Sequence, residues 1–132
     1  MINVTYLESE NIIFSEAIGK VTITDIRDLI RQVGNDYSYL TNLYVLLDLR
    51  KADLNFEISF IQVSLEQIKE YVESSFINYD SVYVSHIVVN RSKNEIFGKM
   101  YKKLFEEPTN FTAEISYSIP VAKSWLKEYQ NN

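Results

Sequence analysis

The chain contains no cysteine. Disulfides, thiolate metal sites and cysteine nucleophiles are excluded with it. It has one histidine, His86, so any imidazole chemistry or histidine metal site must use that residue. Glycine and proline are scarce, at three and two residues. That argues against a loop-rich or low-complexity chain and for dense regular structure. Gly19, Gly34 and Gly98 are isolated from one another, so no glycine-rich phosphate loop can form. No apolar run approaches the roughly 18 residues that a membrane span needs. Basic residues are outnumbered, 13 Lys and Arg against 18 Asp and Glu, for a net charge of −5. A nucleic-acid binder carries a basic footprint, and none is visible. An anionic membrane surface would repel the chain on average. The start, Met1-Ile2-Asn3-Val4-Thr5-Tyr6, lacks the basic and apolar regions of a signal peptide. A cytoplasmic location is therefore expected, and sequon matches at Asn3, Asn90 and Asn110 are read as chance.

What is present suits one globular domain over residues 1–132. Apolar residues make up 46% of the chain, enough for one core at this length. Residues 3–8 and 11–17 read as a short hairpin. Thr22 is a natural N-cap with Asp25 as its capping-box partner. Ile23, Ile26, Leu29, Ile30 and Val33 then recur at helical spacing, and Gly34 is the expected stop. Residues 43–49 form a nearly continuous apolar run, as a strand buried on both faces requires. A second helix begins at Ser59 or at Ser64, with Ile61, Leu65, Ile68, Val72 and Phe76 on one face. Residues 82–89 are a second buried-type strand. Ser92 caps a third helix, with Glu95 completing a capping box and Phe97, Met100, Tyr101, Leu104 and Phe105 as its stripe. Residues 112–118 alternate as a half-exposed strand. Pro120 opens a last helix, with Val121, Ala122, Trp125 and Leu126 apolar. The order β-β-α-β-α-β-α-β-α predicts an α/β domain. Its central sheet is mostly parallel, of about five strands with an antiparallel N-terminal hairpin, joined to about four helices.

Three stretches resemble the STAS domains, and more closely the SpoIIAA-like bacterial proteins. They are Gly19-Lys20-Val21-Thr22-Ile23-Thr24-Asp25, Leu46-Leu47-Asp48-Leu49-Arg50, and the span from Phe97-Gly98-Lys99-Met100-Tyr101 to Ala122-Lys123-Ser124-Trp125-Leu126. The resemblance covers nearly the whole chain and implies a small sheet with helices on its faces. The SpoIIAA-like group has no agreed activity, and its fold is similar also to that of the CRAL-TRIO lipid carriers. In anti-sigma-factor antagonists a regulatory Ser opens the second helix within an Asp-Ser-Ser/Thr-Gly-like motif. Here that region reads Asn55-Phe56-Glu57-Ile58-Ser59-Phe60. Only Ser59 could take that phosphorylated role, without the Asp or the Gly, and a plain N-cap accounts for it equally well.

Two sets of residues stand out as candidate sites. Asp48 and Arg50 end one buried strand, and Asn90, Arg91 and Ser92 follow the next. Ligands of open α/β sheets bind outside the carboxyl ends of the strands, so these five define a candidate polar edge. Phe56, Phe60, Leu65, Phe97 and Tyr101 define a candidate apolar pocket between the second and third helices and the sheet. No nucleophile, base and electrostatic stabiliser can be named together. The expectation is therefore no enzyme, no cofactor and no metal site. The chain reads as a non-enzymatic STAS-like binding or regulatory module holding a small apolar ligand. The competing reading is a protein-interaction module without ligand, either a homodimer or an anti-sigma-antagonist-like protein.

Overall fold

The computed structural model describes residues 1–54, 61–105 and 110–131, with the side chains of Ile61 and Gln62 left aside. The elements are β1 (Ile2–Leu7), β2 (Ile12–Val21), α1 (Ile23–Asp36), β3 (Asn42–Leu54), α2 (Ile61–Phe76), β4 (Ser81–Ile87), α3 (Lys93–Leu104), β5 (Phe111–Ser116) and α4 (Ile119–Gln130). The five strands form one sheet in the order β1-β2-β3-β4-β5. The β1–β2 pair is antiparallel, and each later pair is parallel. This is the α/β architecture expected from the sequence.

The topology sets the layers. Three successive right-handed crossovers that step in one direction place their helices on one face of the sheet. The larger core accordingly joins α1, α2 and α3 to Ile13, Val45, Val84 and their neighbours. Among the described residues the other face carries only α4, which seals Ile12, Tyr44, Leu46 and Ile87 with Ala122 and Leu126. Val121 is 59% exposed, so it lies outside the packing stripe that the α4 sequence suggests.

The caps behave as their residues dictate. Thr22 Oγ1 accepts from the Asp25 N–H, and the Asp25 carboxylate accepts from the Thr22 N–H. Ser92 accepts from the Glu95 N–H, but the return arm differs from a regular box. Glu95 Oε1 accepts from the Arg91 N–H, one residue earlier. Arg91 sits at φ 62°, a left-handed turn that re-aims its N–H toward α3.

Several boundaries differ from the sequence reading. α1 runs through Gly34 to Asp36; Gly34 faces α2, where an added Cβ would sit at ordinary contact distance, 3.4 Å from the Ser75 carbonyl oxygen. β2 extends to Val21 and β3 to Leu54, since these two strands pair beyond the reach of β4. Ser64 lies inside α2 and is buried, so the helix does not begin there. A start at Ser59 lies outside the described residues. Among the described residues no helix is long and apolar enough to cross a membrane.

Gly98 faces β5, where an added Cβ would meet Ile115 Cγ1 at 3.4 Å and Val88 Cγ1 at 3.9 Å. Those are ordinary contacts with side-chain atoms, so alanine fits. Gly98→Ala is expected to stabilise the fold by about 0.5–1 kcal/mol through helix propensity, measured by urea unfolding.

Candidate functional site at the carboxyl edge of the sheet

β3 overhangs its neighbour. It pairs with β4 only through Asp48, so the carbonyls that follow lack ladder partners on that side. The first turn of α3 supplies them. Asn94 Nδ2 donates to the Leu49 and Ala52 carbonyls at 2.8 and 2.9 Å. Lys93 Nζ donates to the Leu54 carbonyl at 2.8 Å. Orphaned buried carbonyls are costly, and these contacts fix α3 against the end of the sheet. Lys93 follows the polar group after the second buried strand in the sequence, but Asn94 does not stand out there, because the overhang that calls for it is a property of strand pairing.

Asp48 lies on the α4 face and is 2% exposed. Arg50, two residues on and hence on the same face, closes a fork over it. Its Nε and Nη2 reach the two carboxylate oxygens at 3.0 and 2.8 Å, and its N–H bonds the carboxylate at 3.1 Å. Burial pushes the Asp48 carboxyl up. The Arg50 hydrogen bonds and the charges of Arg50 and Lys51 outweigh it and hold the group below its ordinary value. A bulge accompanies the pair. Glu16 registers with Asp48 and Ile18 with Lys51, so β3 carries one extra residue there and bends at the strand end.

The five polar-edge residues thus divide. Asp48 and Arg50 satisfy each other. Ser92 is committed to local structure, since its hydroxyl also donates to the Val89 carbonyl at 2.6 Å. Asn90 and Arg91 are exposed. Among the described residues no hydrogen bond or ion pair joins Asp48 or Arg50 to the loop that follows β4.

That loop carries a different signal. Val89 (51%), Ile96 (45%), Tyr117 (51%) and Val121 (59%) are large hydrophobic residues left exposed. They come from the β4–α3 loop, the start of α3, the β5–α4 loop and the start of α4. The two loops are tied together where the Val88 N–H donates to the Ser116 carbonyl. Tyr117 lies beside Glu95, and their side-chain interaction is the first cause that lowers the Glu95 carboxyl and raises the Tyr117 phenol. Lys99 Nζ lies 3.6 Å from Glu95 Oε1 and is well exposed. An apolar edge with Arg91 and Lys99 at its rim results.

The five apolar-pocket residues also divide. Phe56 and Phe60 lie outside the described residues. Phe97 and Tyr101 line a cavity of about 60 Å³ between the helix layer and the sheet. Leu65 does not; it borders a separate depression with Met100, Lys103 and Leu104. His86 lines the inner cavity as well and is 3% exposed. Its ring stands edge-on to Tyr101, with centroids 4.9 Å apart. Burial pushes the imidazole down to about 4, against a smaller upward pull from the Glu114 backbone.

No family model and no curated protein matches the sequence. Solved structures do. The chain is similar to an uncharacterized DUF3478-family protein with a SpoIIAA-like fold from Shewanella loihica PV-4. That match has 15% identity and a TM-score of 0.54 and covers 96% of this chain and 92% of that one. A match to the anti-sigma factor antagonist SpoIIAA in its unphosphorylated form has 9% identity and a TM-score of 0.49 over 100% of both chains. The mixed five-stranded sheet, its single antiparallel edge and the four helices thus make up a SpoIIAA-like α/β fold.

Proposed function

We propose that this chain is a non-enzymatic protein-interaction module that docks a partner protein on the carboxyl edge of its sheet. The observation that carries the reading is the exposure of Val89, Ile96, Tyr117 and Val121, each about half exposed, at the two strand-to-helix junctions β4–α3 and β5–α4. Apolar side chains scattered singly are ordinary on a surface; a contiguous set marks an interaction site. Tyr117 has the character of an anchor, a large aromatic ring left half exposed. The likeness to proteins with a SpoIIAA-like fold fits such a role. The sole imidazole supports it too, because His86 is sealed in the core and away from this edge.

The partner is a different protein with an acidic rim. A second copy meeting this edge across a two-fold axis would bring the same two rim cations, Arg91 and Lys99, into the interface. An acidic partner would be complementary to them. A photo-crosslinking residue placed at Tyr117 tests this against one at Ile77, which is 72% exposed at the opposite end of the sheet. Crosslinks at 117 and none at 77 are expected, to a partner whose affinity for the recombinant chain drops at least about 30-fold with Val121→Glu. Equal crosslinking at both positions overturns the reading. A Val89-dependent dimer in light scattering would assign the edge to self-association instead.

A further inference from the structure

The sheet ends in β1 on one side and β5 on the other, and the two edges differ. Val82 and Val88 donate to the Asn110 and Ser116 carbonyls, so the alternating backbone groups of Phe111, Ala113 and Ile115 turn outward from β5. That edge is guarded. Glu114 Oε1 accepts from the outward Ile115 N–H at 2.9 Å and from Lys102 Nζ at 2.9 Å. A carboxylate and an ammonium thus lie across the strand, and charges of this kind keep other strands off an edge.

β1 carries no such guard. The Ile18 N–H donates to the Met1 carbonyl, and the Met1 amino group donates to the Ile18 carbonyl. Along the antiparallel ladder, Asn3, Thr5 and Leu7 then turn their backbone groups toward β2, while Ile2, Val4 and Tyr6 turn theirs to the open side. Among the described residues no strand or side chain bonds those three outward N–H groups. Residues 2–7 contain no Asp, Glu, Lys, Arg or Pro. The approach is open on both faces. Asn3 and Thr5 are exposed on the face that α4 shares, and on the other face a depression lined by Ile2, Asp28, Leu29 and Gln32 flanks the strand.

An unguarded edge of this kind takes another strand, and β1 is complementary to itself. Antiparallel pairing about a two-fold axis at Val4 sets Ile2 opposite Tyr6 of the second copy, Val4 opposite Val4, and Asn3 opposite Thr5. Apolar then meets apolar on the helix-layer face and polar meets polar on the other, with no like charges opposed. A charged foreign strand would find no countercharge on β1. We infer that the β1 edge is a self-association site that joins two copies of this chain into one continuous sheet. It is separate from the docking edge, and either can fail without the other.

The test is sedimentation equilibrium of the chain up to about 1 mM, the range of a small interface, with amide hydrogen exchange followed by NMR. A dimer is expected, in which exchange at Val4 and Tyr6 slows at least about ten-fold as concentration rises. Val4→Pro removes an outward N–H and no ladder bond, and should weaken the dimer at least about ten-fold. Thr5→Lys, at an exposed position, brings two ammonium groups near the axis and should weaken it to a similar extent with the backbone unchanged. Added salt should tighten the dimer, since each copy carries a net charge of −5. A chain that stays monomeric to about 1 mM overturns the inference, as does a dimer in which Val4 and Tyr6 exchange no more slowly. A dimer lost with Val121→Glu but kept with Thr5→Lys belongs to the carboxyl edge, and overturns it too.

Discussion

Stability is expected to fall by about 3 kcal/mol as the pH drops from about 7 to about 4, with His86 as the main cause. The imidazole is buried among apolar side chains and stays neutral down to about 4, against an ordinary value of 6.5. In the unfolded chain it takes up a proton near the ordinary value. Between the two, the unfolded state binds more protons than the folded one, so stability rises with pH across that window. The contribution is complete above 6.5 and is lost as the pH falls toward the folded value. The gap, at about 1.4 kcal/mol per pH unit, amounts to about 3 kcal/mol. Below it both states are protonated and His86 adds nothing further. Asp48 and Glu114 act in a lower window. Both are pushed up by burial but held below the ordinary carboxylate range by Arg50 and Lys102, so their contribution is lost only in stronger acid. His86→Leu should therefore flatten the urea midpoint between pH 6.5 and about 4 and leave the steeper acid loss in place. A midpoint in the unmutated protein that stays level over that range would mean that the ring is reached by water.

The sequence carries the fold because the patterns behind it are local. The apolar runs at 43–49 and 82–89, the Thr22–Asp25 box and the Ser92 cap each depend on neighbours a few residues away. Gly34 looks like a helix stop, yet it marks where α1 and α2 approach, because a contact between helices leaves no trace in the spacing along one of them. The long overhang of β3 was hidden by Lys51 and Asp53, polar residues that a strand tolerates where only β2 pairs with it. Of the site, Asp48 and Arg50 are visible as a strand-end pair, but their mutual neutralisation rests on the shared face and the bulge. The exposed set of Val89, Ile96, Tyr117 and Val121 is harder still to read. Val89, Tyr117 and Val121 sit within apolar patterns that predict burial, Ile96 lies off the α3 stripe, and only the topology brings them to one edge.

Arg50→Ala is expected to cost about 2 kcal/mol, clearly more than Asp48→Asn at about 1 or less. The asymmetry follows from burial. Breaking a fully buried ion pair costs about 3–5 kcal/mol, but the Arg50 side chain is 37% exposed, so water screens part of the loss. Removing Arg50 leaves the Asp48 carboxylate, 3% exposed, with one backbone N–H and the more distant charge of Lys51. Removing the Asp48 charge leaves a guanidinium that can turn into solvent, while the Asn side-chain oxygen still accepts from the Arg50 N–H. Adding Asp48→Asn to Arg50→Ala should therefore recover most of the loss, a coupling that a double-mutant cycle reads directly. The pH dependence supplies a second check. Without Arg50, burial prevails and the Asp48 carboxyl rises above its unfolded value. A group raised in this way favours the folded state at low pH and disfavours it as pH increases. The deficit of Arg50→Ala should thus shrink in acid. A deficit that stays constant with pH would assign the role of Arg50 to packing over the strand end and not to its charge.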